Sequence, residues 1–266
     1  MTRVLITGPT GTVGEASAKY LADKGYEVVG VSRSVRPQEY FAETANLDLL
    51  DTEDVEKLEE LMMDCDAVFH LAWNLSEENF DTGTKWKGNI EIFENVLQAA
   101  KDTEVRIFIN GSSIHAGTGD IKAYTVEASL EDTPEPYRSS IDPENSFDLR
   151  KDRPEKLLSP LEDNPDSPYG ESKVETEHRL REEVDNGFFD LGVSIRIGGV
   201  NEEDKSELEG EPYYSSLYWS HRDLGRTIEQ IIESDLQKKN GYHQFYGVSD
   251  NKGRIFSIEN QFIGES

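Results

Sequence analysis

The chain has 266 residues, with 27 Lys+Arg against 54 Asp+Glu and a formal net charge of −27. A surface this acidic repels polyanions, which excludes nucleic acid and anionic membrane faces as expected partners. An apolar content of 35% argues against a disordered acidic chain, and acidic pairs scattered from Glu53-Asp54 to Glu202-Glu203-Asp204 suggest a halophilic protein whose self-repulsion is screened by molar salt.

Arg3 to Ile6 reads as a short apolar strand, and Glu15 to Asp23 as a helix with apolar Ala18, Leu21 and Ala22. Tyr26 to Val31 and Ala67 to Ala72 follow as strands, Trp86 to Ala100 as an amphipathic helix, and Val105 to Asn110 as another strand. A helix over Glu171 to Val184 and a strand over Gly192 to Ile197 complete the alternation. The expected fold class is α/β, a doubly wound parallel sheet of the Rossmann type. The expected organisation is one domain over residues 1–266, with a small C-terminal substrate-binding portion from about residue 199 to 266. Residues 118–167 are polar and proline-bearing, so they are expected as an excursion outside the sheet; closing over a substrate, joining subunits and carrying surface charge all remain open. Cys65 stands alone, which rules out a disulfide within the chain and fits a reducing cytoplasm. Neither a signal peptide nor an apolar run of roughly 18 residues is expected to tie it to a membrane.

The first strand runs into Thr7-Gly8-Pro9-Thr10-Gly11-Thr12-Val13-Gly14 and then into a helix. Glycines at this spacing let a pyrophosphate approach the backbone N–H groups and positive dipole end of the new helix. Gly8, Thr10, Gly11, Thr12, Val13 and Gly14 are therefore candidate cofactor contacts. An NAD site usually places a carboxylate at the end of the second strand, but this chain reads Ser32-Arg33-Ser34-Val35-Arg36. Ser32, Arg33 and Arg36 suit a 2′-phosphate, so NADP is expected, with NAD still open; two solvated loop arginines are the plain alternative. The second motif is Tyr169-Gly170-Glu171-Ser172-Lys173. One helical turn separates the tyrosine from the lysine, so an ammonium can sit beside a phenol that would otherwise be too weak a base.

These two motifs, with His70-Leu71-Ala72, Asn89 and Ser112-Ser113, resemble the extended short-chain dehydrogenase/reductase superfamily over nearly the whole chain. Ser112-Ser113-Ile114-His115, Arg196-Ile197-Gly198, Trp219-Ser220-His221-Arg222-Asp223 and Tyr246-Gly247-Val248-Ser249-Asp250-Asn251 narrow the resemblance to its uronate-dehydrogenase-like branch and its halophilic aldose dehydrogenases. The resemblance implies catalysis by Tyr169, Lys173 and Ser113, with Asn89 anchoring a proton-relay water. It also implies cofactor contacts at Asp48, Leu49, Leu71, Ala72, Lys173 and Ile197. Substrate contacts are implied at Ser76, Ser113, His115, Tyr169 and Tyr213, and no metal is expected. The chain departs from the branch twice: Ile114 replaces an asparagine, and Tyr213 aligns with the arginine that pairs with a uronate carboxylate. The expected activity is NADP-linked oxidation of a small neutral sugar at C1 to the lactone, L-arabinose first and galactose-like sugars next. A uronate or glucose 6-phosphate dehydrogenase, a nucleotide-sugar epimerase or dehydratase, and a regulator without activity stay as alternatives. A homo-oligomer also remains open.

Overall fold

The structure is a computed structural model that describes residues 1–74, 86–119, 159–206, 212–251 and 254–262. Its centre is a seven-stranded, all-parallel sheet: β1 (Arg3–Thr7), β2 (Glu27–Ser32), β3 (Glu43–Asn46), β4 (Ala67–His70), β5 (Ile107–Ser113), β6 (Leu191–Ile197) and β7 (Gly241–Gly247). The strand order is β3-β2-β1-β4-β5-β6-β7, the doubly wound arrangement expected from the alternation of elements. The helices are α1 (Thr12–Asp23), α2 (Thr52–Met62), α3 (Trp86–Asp102), α4 (Pro168–Asp185), the short α5 (Pro212–Leu217) and α6 (His221–Ile232).

Successive strand residues serve opposite faces of the sheet. Val4, Ile6, Phe69 and Ile109 pack against Leu21 of α1 and Leu224 and Ile228 of α6. Leu5, Val68 and Phe108 pack against Leu58 of α2, Phe93 and Val96 of α3 and Leu180 of α4. Both faces are thus covered at the centre of the sheet, which is why β1 and β4 read as apolar runs rather than as alternating ones.

The strand order reverses direction between β1 and β4, and a crevice opens beyond the carboxyl ends of these two strands. The Thr7 hydroxyl fixes their relation: it pairs with His70 Nδ1 at 2.9 Å and accepts the backbone N–H groups of Leu71 and Ala72, both at 3.1 Å. Gly8 N donates to the Val31 carbonyl at 2.9 Å, locking the end of β2 into the same corner. Of residues 118–167, the described parts at either end carry the chain off β5 and back into α4. Among the described residues no helix is long and apolar enough to cross a membrane.

Candidate active site

The glycine cradle sits at the switch of strand order. Gly8 has φ +70°, and a Cβ there would lie 2.9 Å from the backbone of Leu71 and Ala72. A Cβ on Gly14 would come within 2.4 Å of the Gly8 carbonyl oxygen, so α1 can start this close to the turn only without one. Gly11 is the N-cap of α1 and no side chain caps the helix, leaving its first N–H groups to face the crevice. A cavity of about 420 Å³ continues from the cradle, lined by Gly8, Thr10, Ser32, Arg33, Asp48, Leu49, Ala72, Trp73 and Asn89 among others. These residues fit a dinucleotide: a cradle for the pyrophosphate, Ser32 and Arg33 at the end of β2 for the ribose, and Leu49 as an apolar wall. Arg33 and Arg36 are both exposed, and neither forms an ion pair with another described residue; Arg36 does not line the cavity. The Asp48 carboxylate is turned toward its own loop, accepting the Leu50 N–H at 3.1 Å.

Ser113, Tyr169 and Lys173 converge at the far end of the crevice. Ser113 ends β5, and its hydroxyl bonds the Tyr169 phenol. Pro168 and the Ser167 cap, whose hydroxyl accepts the Gly170 N–H at 3.2 Å, start α4 so that Tyr169 and Lys173 share its inner face. Lys173 is buried and donates to the Gly111 carbonyl at 2.9 Å. Leu71, just past the end of β4, and Ile197 at the end of β6 flank Gly111. The lysine ammonium lies 5.7 Å from the Tyr169 ring centroid, and burial dominates both groups. Burial pushes the Tyr169 phenol up to about 12, against the Ser113 hydrogen bond and with the Asp166 charge. Burial also pulls Lys173 down to about 7, against the attraction of Glu177.

Two neighbours of this pair were not anticipated from the sequence. The Trp73 ring covers the Lys173 ammonium at 3.5 Å and meets Tyr169 edge-on, with 6.2 Å between ring centroids. Its position straight after His70-Leu71-Ala72, at the mouth of the crevice, was the available signal. Asp166, three residues before Tyr169, pairs with His115 Nδ1 at 2.9 Å. His115 stands on the one-turn 3-10 helix Ile114–Ala116 and presents its ring edge to Tyr169, with 5.5 Å between centroids. Asn89 uses both amide atoms to hold the backbone of Asn74, at 2.7 and 3.1 Å, so in this structure it fixes the segment that carries Trp73. Ser76 and the Tyr213 side chain lie outside the described residues; the Tyr213 backbone belongs to α5.

Among the described residues, Arg196 and Arg222 are candidates for an anion clamp. Arg196 is fully buried and its guanidinium is consumed by Glu177, at 3.0 and 2.7 Å, by Asp163 at 2.7 Å and by the Glu162 carbonyl at 2.7 Å. Arg222 is exposed and pairs with Asp223 at 3.2 Å.

The family model described as NAD dependent epimerase/dehydratase family matches residues 4–140, more than half of the chain and all of the cradle. The chain belongs to this family. Solved structures similar over 97% of the chain include uronate dehydrogenase from Agrobacterium tumefaciens, at 19% identity, TM-score 0.67 and 80% of that chain. Glucuronic acid dehydrogenase from Chromohalobacter salexigens is similar at 21% identity, TM-score 0.68, over 97% of this chain and 80% of that one. UDP-N-acetylglucosamine 4-epimerase from Bacillus cereus follows at 18% identity and TM-score 0.59, over 94% and 79%. At these identities the shared property is the fold. An uncharacterized protein of Mycobacterium tuberculosis is 30% identical over 113 residues, 42% of this chain but 12% of that protein.

Proposed function

We propose that this member of the family is an NADP-preferring aldose 1-dehydrogenase, oxidising a neutral cyclic sugar at C1 to the lactone, L-arabinose first and galactose-like sugars next. The observation that carries the reading is the convergence of Ser113, Tyr169 and Lys173 at the end of a dinucleotide groove whose ribose end offers Ser32 and Arg33 instead of a carboxylate. Bound NADP would supply the acceptor for the C1 hydride. Ser113 holds the reacting hydroxyl, and Tyr169 takes its proton as the C–H bond breaks. Lys173 holds the nicotinamide ribose once Trp73 no longer covers it, and its charge then favours the phenolate. Two facts support a neutral sugar over a uronate or sugar phosphate: Arg196 and Arg222 are engaged elsewhere, and tyrosine stands at position 213. A desolvated carboxylate without a cationic partner costs several kcal/mol.

The fold shared with uronate dehydrogenase favours a second reading, a uronate substrate at the same site. Initial rates with aldoses, uronates and sugar phosphates, each with NADP and NAD in high salt, separate the two. The proposal expects the highest kcat/KM with a neutral aldose and NADP. Faster turnover of galacturonate or glucose 6-phosphate, or a preference for NAD, would overturn the corresponding half of it.

A further inference from the structure

The cavity that starts at the glycine cradle stops short of the reacting groups. Gly8, Thr10, Ser32, Arg33 and Leu49 line it, whereas Ser113, Tyr169 and Lys173 do not reach its wall. One lining side chain touches both sides of that divide. The Trp73 ring faces the cavity, covers the Lys173 ammonium at 3.5 Å and meets Tyr169 edge-on, with 6.2 Å between centroids. Ser113 and Lys173 are both buried, so the indole stands between the cofactor cavity and an enclosed catalytic group.

The contact leaves both partners short of hydrogen bonds. The indole N–H is buried yet meets no acceptor among the described residues, although a buried tryptophan usually finds one. Of the three donors of Lys173, one goes to the Gly111 carbonyl at 2.9 Å, and a π face takes the place of further acceptors. A ligand that brings hydroxyl oxygens to this ammonium therefore offers it better partners than the indole does. The chain on either side of Trp73 is pinned. The Thr7 hydroxyl accepts the N–H groups of Leu71 and Ala72, both at 3.1 Å, and the Asn89 amide grips the backbone of Asn74 at 2.7 and 3.1 Å. The ring thus comes off Lys173 by turning about its own side-chain torsions, not by a shift of the backbone.

We propose that Trp73 competes with the nicotinamide half of the cofactor for the Lys173 ammonium and so plugs that half of the site. The adenosine half enters the cavity directly, and the nicotinamide half follows as the indole turns away. The inference rests on the dehydrogenase reading, in which Lys173 holds the nicotinamide ribose, and adds to it a residue that governs cofactor entry. Whatever stabilises the Trp73–Lys173 contact is then subtracted from dinucleotide affinity, as in any protein whose binding-competent state is the minor one.

Calorimetric titration of the unmodified protein and of Trp73→Ala, with NADP and NAD and with 2′,5′-ADP and 5′-AMP, tests this. The two short ligands carry the adenosine half alone, so both proteins should bind them equally. The preferred dinucleotide should bind Trp73→Ala about 10- to 30-fold more tightly, because a partly desolvated cation–π contact no longer has to be broken. Equal or weaker dinucleotide binding by Trp73→Ala would overturn the proposal, and so would an equal gain for the short ligands. Nitrogen-15 NMR of the indole groups in the unmodified protein, with Trp73 assigned through Trp73→Phe, carries the test if Trp73→Ala fails to fold. The dinucleotide should move the Trp73 Nε1–H resonance, and the short ligands should leave it in place; a resonance that ignores the dinucleotide, or follows the short ligands as far, would overturn the proposal. If neither dinucleotide binds either protein, it is the dehydrogenase reading that fails, and the plug falls with it.

Discussion

Lys173 shows what the site costs the fold. Its folded pKa of about 7 lies below the ordinary value of 10.5 because burial penalises the ammonium, so the unfolded chain binds that proton more tightly. Below pH 7 both states are protonated and the penalty is complete, with an upper bound of about 5 kcal/mol. It fades as pH rises from 7 toward 10.5 and is gone above that. Lys173→Met should therefore raise Tm most at pH 6 and hardly at pH 10.5, while abolishing turnover; thermal unfolding at the two pH values checks this, and an equal gain at both would contradict it. Single residues were legible in the sequence where a motif fixed their spacing, as at Gly8, Gly14, Tyr169 and Lys173. Trp73 and Asp166 were not, because their roles depend on contacts across the fold: Trp73 meets a residue 100 positions away, and Asp166 meets one on the far side of the 118–167 excursion.

At the scale of elements, a buried ion pair joins α4 to β6. Arg196 and Glu177 are both wholly enclosed, and the same guanidinium holds Asp163 and the Glu162 carbonyl just ahead of α4. Breaking such a pair strands one charge in the interior, so Arg196→Met should cost roughly 3–5 kcal/mol, read from the denaturant midpoint. Arg196→Met with Glu177→Leu should recover part of the loss; no recovery would mean that the carbonyl and Asp163 bonds matter more than the pair. The long apolar strands were readable from periodicity, with ends displaced by two or three residues at most: β4 stops at His70 rather than Ala72, and β5 runs on to Ser113. The edge strand β3, Glu43–Asn46, escaped notice because its four residues are partly or fully exposed and carry no apolar run. Helix α2 was missed for a related reason: only Leu58 and Met62 of its eleven residues are buried among acidic neighbours.

For the whole molecule, a net charge of −27 means that folding concentrates like charge. Salt shortens the screening length from about 10 Å at 0.1 M to about 3 Å at 1 M, so Tm should climb steadily with KCl over that range. A flat or falling Tm would remove the halophilic reading. Composition carried this expectation and the class of fold carried the cradle, but the proposed oxidation at C1 depends on where a sugar would rest against Tyr169. Family membership alone leaves oxidation and epimerisation both open. One single-turnover experiment decides between them: an aldose deuterated at C1 is mixed with stoichiometric NADP and excess protein in high salt. The account predicts that deuterium passes to C4 of the nicotinamide ring, that reduced cofactor accumulates one for one with lactone, and that Tyr169→Phe stops both. Recovery of an epimerised sugar with no net reduced cofactor would contradict it.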